Sequence, residues 1–424
     1  MTYAETLAHI YALGRFGIKP GLSRITRLLA ALGNPQDAFA AVHVVGTNGK
    51  GSTASFLSSI LSAGGYKTGL FTSPHLISFT ERIRIDGNEI EEEDVVRLAG
   101  RVLAAAPPES TFFEIVTALA VLQFAEKGVR IAVLEAGMGG RLDATNAMNG
   151  VLSAITPVSL DHTDYLGASI EEIAAEKAGI CKAGTPLVSA RQHPDAGQAI
   201  ARRAEEIGSP LYLQGQSFDA FWRDHRLCYR GIGLTLDDLQ TGLIGRYQSG
   251  NAAVALAAAE LLGAVGFPLA PQAMRTGMER ANWPGRMEMF PGPPRVLLDG
   301  AHNPAGAAAL ADALREIPRH RLLLVVGVMG DKELSGILAP LLPRADLVFA
   351  VTPALERALP AAELAFFCLG AGVEAQEAGA VAQGLDQARS AATDDDLIVV
   401  CGSLFTVGEA RGHLLSRVFE PFRG

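Results

Sequence analysis

Cysteine is scarce in this 424-residue chain: Cys181, Cys228, Cys368 and Cys401, with no C-x-x-C spacing. That argues against a zinc ribbon and a disulfide scaffold, and fits a reducing cytoplasm. Long basic runs are missing and the formal net charge is −9, so nucleic acid is not an expected partner. An anionic substrate would have to meet local cations, not a global positive field. No membrane span is expected either. The apolar stretch 252–267 is Ala-rich, carries Glu260 and is too short to cross a bilayer. The N-terminus, MTYAETLAHIYALGRFG, lacks a charged start followed by a long apolar core, so no secretory signal is read there. Charged residues make up only 19% of the chain against 49% hydrophobic, the balance of a large buried core and not of a disordered polymer. Two domains are expected from the length.

Present instead is an alternation of short apolar runs and helical patterns. Strands are predicted at 43–46, 67–72, 129–135, 151–158, 185–190, 295–299, 321–327, 345–351 and 396–401. Helices are predicted at 53–63, 113–127, 169–179, 194–207, 248–262, 304–316, 377–391 and 405–418. Such alternation predicts an α/β fold with mainly parallel sheets covered on both faces. Segment 211–245 has aromatics and short alternations, and reads as a small antiparallel elaboration. A turn-rich stretch at 285–294 (Gly285-Arg286 through Pro293-Pro294) places a domain boundary there, with domains at 1–287 and 288–424.

The first strand runs into His43-Val44-Val45-Gly46-Thr47-Asn48-Gly49-Lys50-Gly51-Ser52-Thr53, and a helix follows. Strand, glycine loop, Lys, hydroxyl and helix is the order of a phosphate-binding loop. Glycines let backbone N–H groups approach phosphate oxygens, and a helix N-terminus favours negative charge. The spacing departs from the usual G-x-x-x-x-G-K-[ST]: Gly46 lies three residues before Gly49, and Gly51 separates Lys50 from Ser52. The order of elements still predicts a nucleotide triphosphate site.

Ligands in open α/β sheets bind beyond the carboxyl ends of the strands. Polar groups gather there repeatedly: Ser73 after Phe71, Glu135 after Leu134, Asp161-His162 after the strand at 151–158, Asp299 to Asn303 after Leu298, and Asp331-Lys332 after the strand at 321–327. Taken singly, Glu135 more often caps a loop than binds a metal, and His162 fits either role. Ser73, Glu135 and His162 together supply oxygen and imidazole donors beside a phosphate loop, which suits Mg²⁺, an ion that completes its shell with phosphates and waters. Lys177, at a predicted helix end, reads from the sequence alone as a solvated cation favouring the helix C-terminus. No nucleophile stands out, so the chemistry points to positioning and charge neutralisation, as in phosphoryl transfer.

Taken together the motifs resemble the folylpolyglutamate synthase/dihydrofolate synthase family of the Mur-ligase superfamily. The resemblance rests on Gly-Thr-Asn-Gly-Lys-Gly-Ser at 46–52, Thr-Ser-Pro-His-Leu at 72–76, Phe-Phe-Glu at 112–114, Leu-Glu-Ala-Gly-Met-Gly-Gly-Arg-Leu-Asp-Ala-Thr-Asn at 134–146, Leu-Asp-His-Thr at 160–163, Glu-Lys-Ala-Gly-Ile at 176–180, Trp-Pro-Gly-Arg at 283–286, Asp-Gly-Ala-His-Asn-Pro at 299–304 and Cys-Gly-Ser-Leu-Phe at 401–405. It implies a P-loop-type, mainly parallel first domain followed by a smaller Rossmann-like α/β domain. Gly49, Lys50, Gly51 and Ser52 would hold ATP phosphates. Ser73, Glu135 and His162 would bind Mg²⁺, and Lys177, carboxylated on its amine, would bind a second ion. Asn251, Arg286, Asp299 and His302 would contact ATP. Thr111, Phe112, Phe113 and Glu114, with Leu142, Asp143 and Ala144, would line the pterin or folate site. Residues 17–24 would assist, although Ser23 stands where the family often has an acidic residue.

The implied reaction makes L-glutamate amides of dihydropteroate and of reduced folates, with Lys50, Glu135, His162 and Lys177 as the catalytic set. A carboxylate is a poor acylating agent, and phosphorylation by ATP supplies its leaving group. A cytoplasmic monomer acting on small molecules is expected. The alternatives are an enzyme that only extends glutamate tails, and a P-loop ATPase switch. A peptidoglycan ligase is disfavoured because only 45 residues precede Gly46, too few for a UDP-sugar domain.

Overall fold

The computed structural model describes residues 1–17 and 19–420, apart from the side chains of residues 15 and 16. Two helices lead the chain, α1 (Tyr3–Ala12) and α2 (Ser23–Ala31). Thr2 and Glu5 close a capping box on α1, satisfying its first free N–H groups. An eight-stranded sheet follows. Its members are β1 (Ala40–Val45), β2 (Thr68–Phe71), β3 (Ile83–Ile85), β4 (Asn88–Glu89), β5 (Ile131–Glu135), β6 (Gly150–Ile155), β7 (Leu187–Ser189) and β8 (Leu211–Leu213). The order across the sheet is β4-β3-β2-β5-β1-β6-β7-β8. All pairings are parallel except those of β3 with β2 and with β4.

Between these strands run α3 (Lys50–Ala63), α4 (Glu92–Ala105), α5 (Phe112–Glu126), α6 (Thr163–Leu166), α7 (Ile170–Ala178) and α8 (Pro194–Glu206). The strands β9 (Asp219–Arg223), β10 (Arg226–Arg230) and β11 (Thr235–Leu239) form a separate antiparallel sheet, the small elaboration expected for 211–245. The helices α9 (Gln248–Leu262) and α10 (Pro271–Arg280) complete this half. Phe56, Leu57 and Ile60 of α3 and the Ala-rich α9 cover one face of the large sheet. The apolar α5, with α1, α2 and α4, covers the other. Both faces are therefore dry, which is why the central strands read as unbroken apolar runs.

The second sheet has the order β12-β13-β17-β14-β15-β16. In sequence its elements are β12 (Glu288–Phe290), β13 (Arg295–Leu298), α11 (Pro304–Ala313), β14 (Leu322–Val326), α12 (Leu334–Leu338), β15 (Leu347–Thr352), α13 (Ala361–Gly370), β16 (Ala375–Ala380), α14 (Val381–Ala391), β17 (Leu397–Cys401) and α15 (Leu404–Leu415). Only β12 runs antiparallel to its neighbour. The helices α11 to α13 pack one face, and α14 with α15 the other.

Several elements differ from the sequence-based expectation. The helix predicted over 377–391 is two elements, strand β16 and then α14. The strand's Ala-Gln-Glu-Ala-Gly-Ala has poor strand propensity, and its pairing with β15 overrides that preference. Helices α1, α2, α4, α10 and α13 were not predicted, and the strand expected over 151–158 stops at Ile155. Among the described residues no helix is long and apolar enough to cross a membrane.

The core holds a polar group that makes stability depend on pH. His43 is fully buried in β1 and its Nε2–H donates to the Thr145 carbonyl, 2.9 Å away. Its Nδ1 has no partner among the described residues. Burial pushes its pKa down to about 4. His302 is likewise held down to about 4, and His75 to about 3, both by burial first. An unfolded histidine titrates near 6.5, so between about pH 6.5 and 4 the unfolded chain binds more protons, and stability falls as pH falls. A shift from 6.5 to about 4 corresponds to roughly 3 kcal/mol at the acid end. Buried Glu135, Asp143 and Asp299, whose pKa values are raised by burial, act with the opposite sign. His43→Gln isolates the His43 share: urea unfolding from pH 7.5 to pH 4.5 is expected to show a smaller acid loss in the variant than in the wild type.

Candidate active site

The carboxyl ends of β1, β5, β6 and β2 lie side by side, because β1 pairs with both β5 and β6, and β5 pairs with β2. The loop after β1 therefore meets Glu135 on one side and the chain leaving β6 on the other. Gly49 caps α3 at φ 85°, in the left-handed region, and a Cβ there would lie 2.2 Å from Asn251 Oδ1. A Cβ on Gly51 would lie 2.6 Å from the Trp283 ring. The unusual spacing of the loop thus has a packing cause: the residue between Lys50 and Ser52 must be glycine to admit Trp283. Lys50 Nζ donates to the Thr47 carbonyl at 3.1 Å. Behind the loop, Gln248 Nε2 lies 3.4 Å from the Ser52 hydroxyl and its Oε1 accepts from Asn251 Nδ2 at 2.7 Å. The expected Asn251 is thereby fixed against the loop, through a Gln248 that sequence reasoning missed.

Glu135 ends β5 and is 5% exposed. The backbone N–H of Ser73 donates to its Oε2 at 3.2 Å. Burial raises its pKa, opposed first by the charge of Lys50 and then by the Ser73 hydrogen bond and by Arg286. Ser73, Glu135, Gly51, Trp283 and Arg286 line one cavity. His162 sits in the left-handed region at φ 51°, half-exposed, its backbone N–H held by Asp161 Oδ1 at 3.0 Å. Desolvation lowers its pKa against the pull of Asp161, and the ammonium groups of Lys332, Lys50 and Lys177 lower it further.

Lys177 overturns the solvated-helix-end reading. It lies in the last turn of α7 but is 5% exposed, and its Nζ donates to the Gly46 carbonyl at 2.8 Å. Burial, then the neighbouring Lys50 charge, bring its pKa down to about 7. The Lys50 charge thus acts on Glu135, His162 and Lys177 alike. Among the described residues no three His, Cys, Asp or Glu side chains group tightly enough to hold a metal ion by themselves.

The second sheet brings its own strand ends to the same place. Asp299, just past β13, is buried, and accepts hydrogen bonds from Ala301 N at 2.9 Å, Met287 N at 3.0 Å and Tyr247 Oη at 3.4 Å. Burial raises its pKa and Arg286 is the first group to oppose that rise. A Cβ on Gly300 would lie 2.3 Å from an Arg286 amine, so the guanidinium lies over the turn that follows Asp299. His302 Nδ1–H donates to the Gly300 carbonyl at 2.8 Å, leaving Nε2 as the lone-pair nitrogen. Two polar contacts join the halves here: Asn303 Nδ2 to Asn48 Oδ1 at 2.9 Å, and Lys332 Nζ to Asp161 Oδ1 at 3.2 Å. Sequence reasoning placed these residues at strand ends and gave Asn48, Asn303, Asp161 and Lys332 no role. No local signal pairs residues so far apart in the chain.

Residues 111–114 open α5. Thr111 and Glu114 form a capping box, and Arg24 Nε donates to Glu114 Oε2 at 3.1 Å. Phe112 stacks on Tyr11 with ring centroids 5.6 Å apart, and Phe113 meets Phe71 at 5.9 Å. Asp143 is buried and accepts from Met138 N, Thr145 N and Thr145 Oγ1. Its carboxylate therefore shapes its own loop, and Ala144 packs into the α5 core. Leu142 stays half-buried. Of the 17–24 segment, residue 18 lies outside the described residues.

The chain matches the Mur ligase middle domain over 44–259 and the Mur ligase glutamate ligase domain over 285–404. It is 35% identical to the folylpolyglutamate synthase of Lacticaseibacillus casei, over 98% of this chain and 99% of that protein. It is 39% identical to a probable bifunctional folylpolyglutamate synthase/dihydropteroate synthase of Haloferax volcanii, over 97% of this chain; the chain spans about half the length (50%) of that relative. Its fold is similar to the crystal structure of the bifunctional folylpolyglutamate synthase/dihydrofolate synthase of Yersinia pestis complexed with AMPPNP and Mn ion, at a TM-score of 0.88, 33% identity and 98% coverage of both chains. With an α/β fold, a glycine loop under Asn251 and strand-end polar groups facing one another across two sheets, the chain belongs to the folylpolyglutamate synthase/dihydrofolate synthase family of Mur ligases.

Proposed function

We propose that this chain is an ATP-dependent amide ligase that joins L-glutamate to dihydropteroate and to the γ-glutamyl tails of reduced folates. The observation that carries the reading is the convergence on Lys50. The charge of Lys50 acts on Glu135, His162 and Lys177, while Arg286 lines the same cavity as Glu135 and acts in turn on Asp299 of the second half. A switch driven by hydrolysis has no need of polar strand ends from a second sheet at its nucleotide. The glycines at 49 and 51 with Ser52 hold the phosphates, and Asn251, Arg286, Asp299 and His302 take the rest of ATP. The acceptor lies along Thr111 to Glu114 and Leu142 to Ala144. The domains divide at 287/288, and the active species is a cytoplasmic monomer. All four cysteines are buried and unpaired, which fits a reducing compartment.

The residues present suit Mg²⁺. Glu135 keeps one carboxylate oxygen clear of the Ser73 N–H, and with Ser73 and His162 it makes a sparse donor set that leaves positions for phosphates and water. The ion would supply charge neutralisation on the transferred phosphoryl group. Lys177 suits carboxylation: an amine with a pKa of about 7 is largely neutral at mild alkaline pH, and only the neutral amine attacks CO₂. That addition forms an N–C bond, releases one proton and leaves an anionic carbamate.

The acceptor's carboxylate attacks the γ-phosphorus of ATP, giving an acyl phosphate and ADP. The neutral amine of glutamate then attacks the acyl carbon, and phosphate leaves. Water exclusion between the two halves protects the acyl phosphate from hydrolysis. Purified protein with ATP and Mg²⁺ is expected to release ADP with dihydropteroate plus L-glutamate, and separately with tetrahydrofolate plus L-glutamate. ADP release only with the folate leaves the tail-extending activity alone. Release that ignores both acceptors refutes the ligase reading.

A further inference from the structure

The loop from Ser73 to Arg82 is held at three points. At its start Ser73 N–H donates to Glu135. In its middle the Glu81 carboxylate accepts from the backbone N–H groups of Leu76, Ile77 and Ser78 at 2.7 to 3.2 Å. The third hold comes from the far end of the chain. After α15 the backbone reverses at Ser416, φ 53°, and returns to the first half. There Glu420 N–H donates to the Ile77 carbonyl at 2.8 Å. The Glu420 carboxylate accepts from Phe79 N–H at 2.7 Å, Ser78 Oγ at 3.2 Å and Tyr3 Oη at 3.3 Å.

A histidine completes the junction. Arg82 Nε–H donates to His75 Nδ1 at 2.8 Å, so His75 carries its proton on Nε2 and donates it to the Glu420 carbonyl at 3.0 Å. The loop is also gripped by the second half through packing. Leu76 is buried in the core beneath α14 and α15, and a Cβ on Gly408 would lie 2.1 Å from the Leu76 carbonyl oxygen. The short stretch between Ser73 and Ser78 is therefore anchored to Glu135 at one end and to the second half at the other. Any rotation between the halves acts on Ser73 through this stretch.

We propose that Glu420 is a positioning residue for the reaction: it fastens the Ser73 loop across the two halves, so that Ser73 reaches its working place only when the halves are correctly set. This rests on the reading that Ser73 faces the nucleotide's metal ion. A charge-assisted hydrogen bond to Phe79 N–H, with the Ser78 and Tyr3 contacts, is strong enough to set the loop's register. The Glu420 carboxylate meets the loop and Tyr3, and acts on the reaction through the loop.

The test compares wild type, Glu420→Ala, Glu420→Gln and Ser78→Ala, read by ADP release well below the melting temperature while Mg²⁺ is titrated. Glu420→Ala is expected to raise the Mg²⁺ concentration for half-maximal rate and to lower kcat, each roughly tenfold, with the acceptor KM little changed. Glu420→Gln keeps an acceptor oxygen and is expected to recover most of the loss, whereas Ser78→Ala shifts the Mg²⁺ midpoint in the same direction by less. A merely structural Glu420 would lower the melting temperature and leave the Mg²⁺ midpoint alone, and that result overturns the proposal. If Glu420→Ala does not fold, an unmoved midpoint in Ser78→Ala overturns it instead. Wild type lacking Mg²⁺-dependent ADP release would refute the ligase reading itself, which is a separate outcome.

Discussion

Lys177→Ala is expected to lower kcat by a factor on the order of 10² or more, with its fold retained. The wild-type amine is buried, hydrogen-bonded to the Gly46 carbonyl and depressed to about pKa 7 by burial and by Lys50. An ordinary lysine at pKa 10.5 would be almost wholly protonated at pH 7.5 and would not add CO₂. The depressed pKa makes carboxylation feasible under cellular conditions, and sets its sign with pH. If Lys177 is carboxylated as proposed, protonation of the amine as pH falls through about 7 is expected to remove the carbamate and lower the rate. Enzyme held free of CO₂ at mildly acidic pH should therefore be slow, and should recover when bicarbonate is added at higher pH. Intact-mass measurement under native conditions should find the mass of one added CO₂ on wild type and none on Lys177→Ala. Unchanged turnover in the variant would remove Lys177 from the chemistry.

Lys177 marks where the amino-acid order stops being legible on its own. A Lys in the last turn of a helix is ordinarily solvated, and nothing within α7 announces that β1's loop will close over it. Only the resemblance to a ligase family set that reading aside, and the burial of Lys177 against Gly46 overturns its solvated part. By contrast, the strand-end positions of Glu135 and Asp299 were legible from first principles, although their roles came only from the resemblance. Each ends an apolar run that must be a buried parallel strand, and the carboxyl edge of such a sheet is where ligands bind.

What stayed hidden at the site has one physical cause: contacts between residues far apart in the chain leave no local period. The Asp161–Lys332 and Asn48–Asn303 pairs join the two halves, and Trp283 packs on Gly51 from more than two hundred residues away within the first. Gly51 looked like a departure from the usual loop spacing, and only the indole ring beside it supplies the reason. The strand at 375–380 was hidden differently. Alanine and glutamine favour helix, and the free energy of pairing with β15 outweighs a preference of a few tenths of a kcal/mol per residue.

Lys50→Met keeps the aliphatic stem and removes the charge, and kcat/KM for ATP is expected to fall on the order of 10³-fold. The charge of this ammonium acts on Glu135, His162 and Lys177 alike. Its removal leaves the phosphoryl charge less neutralised during transfer. A second consequence separates this from a simple loss of phosphate affinity. Lys50 disfavours the protonated form of Lys177, so without it the Lys177 pKa rises above about 7. The acid limb of the rate against pH should then move to higher pH in Lys50→Met, and bicarbonate should be needed at a higher pH to restore activity. A variant with unchanged kcat/KM would take Lys50 out of phosphoryl transfer. A variant that is slow but keeps the wild-type acid limb would separate Lys50 from Lys177, and with it the idea that one ammonium sets both the phosphate site and the carboxylation of its neighbour.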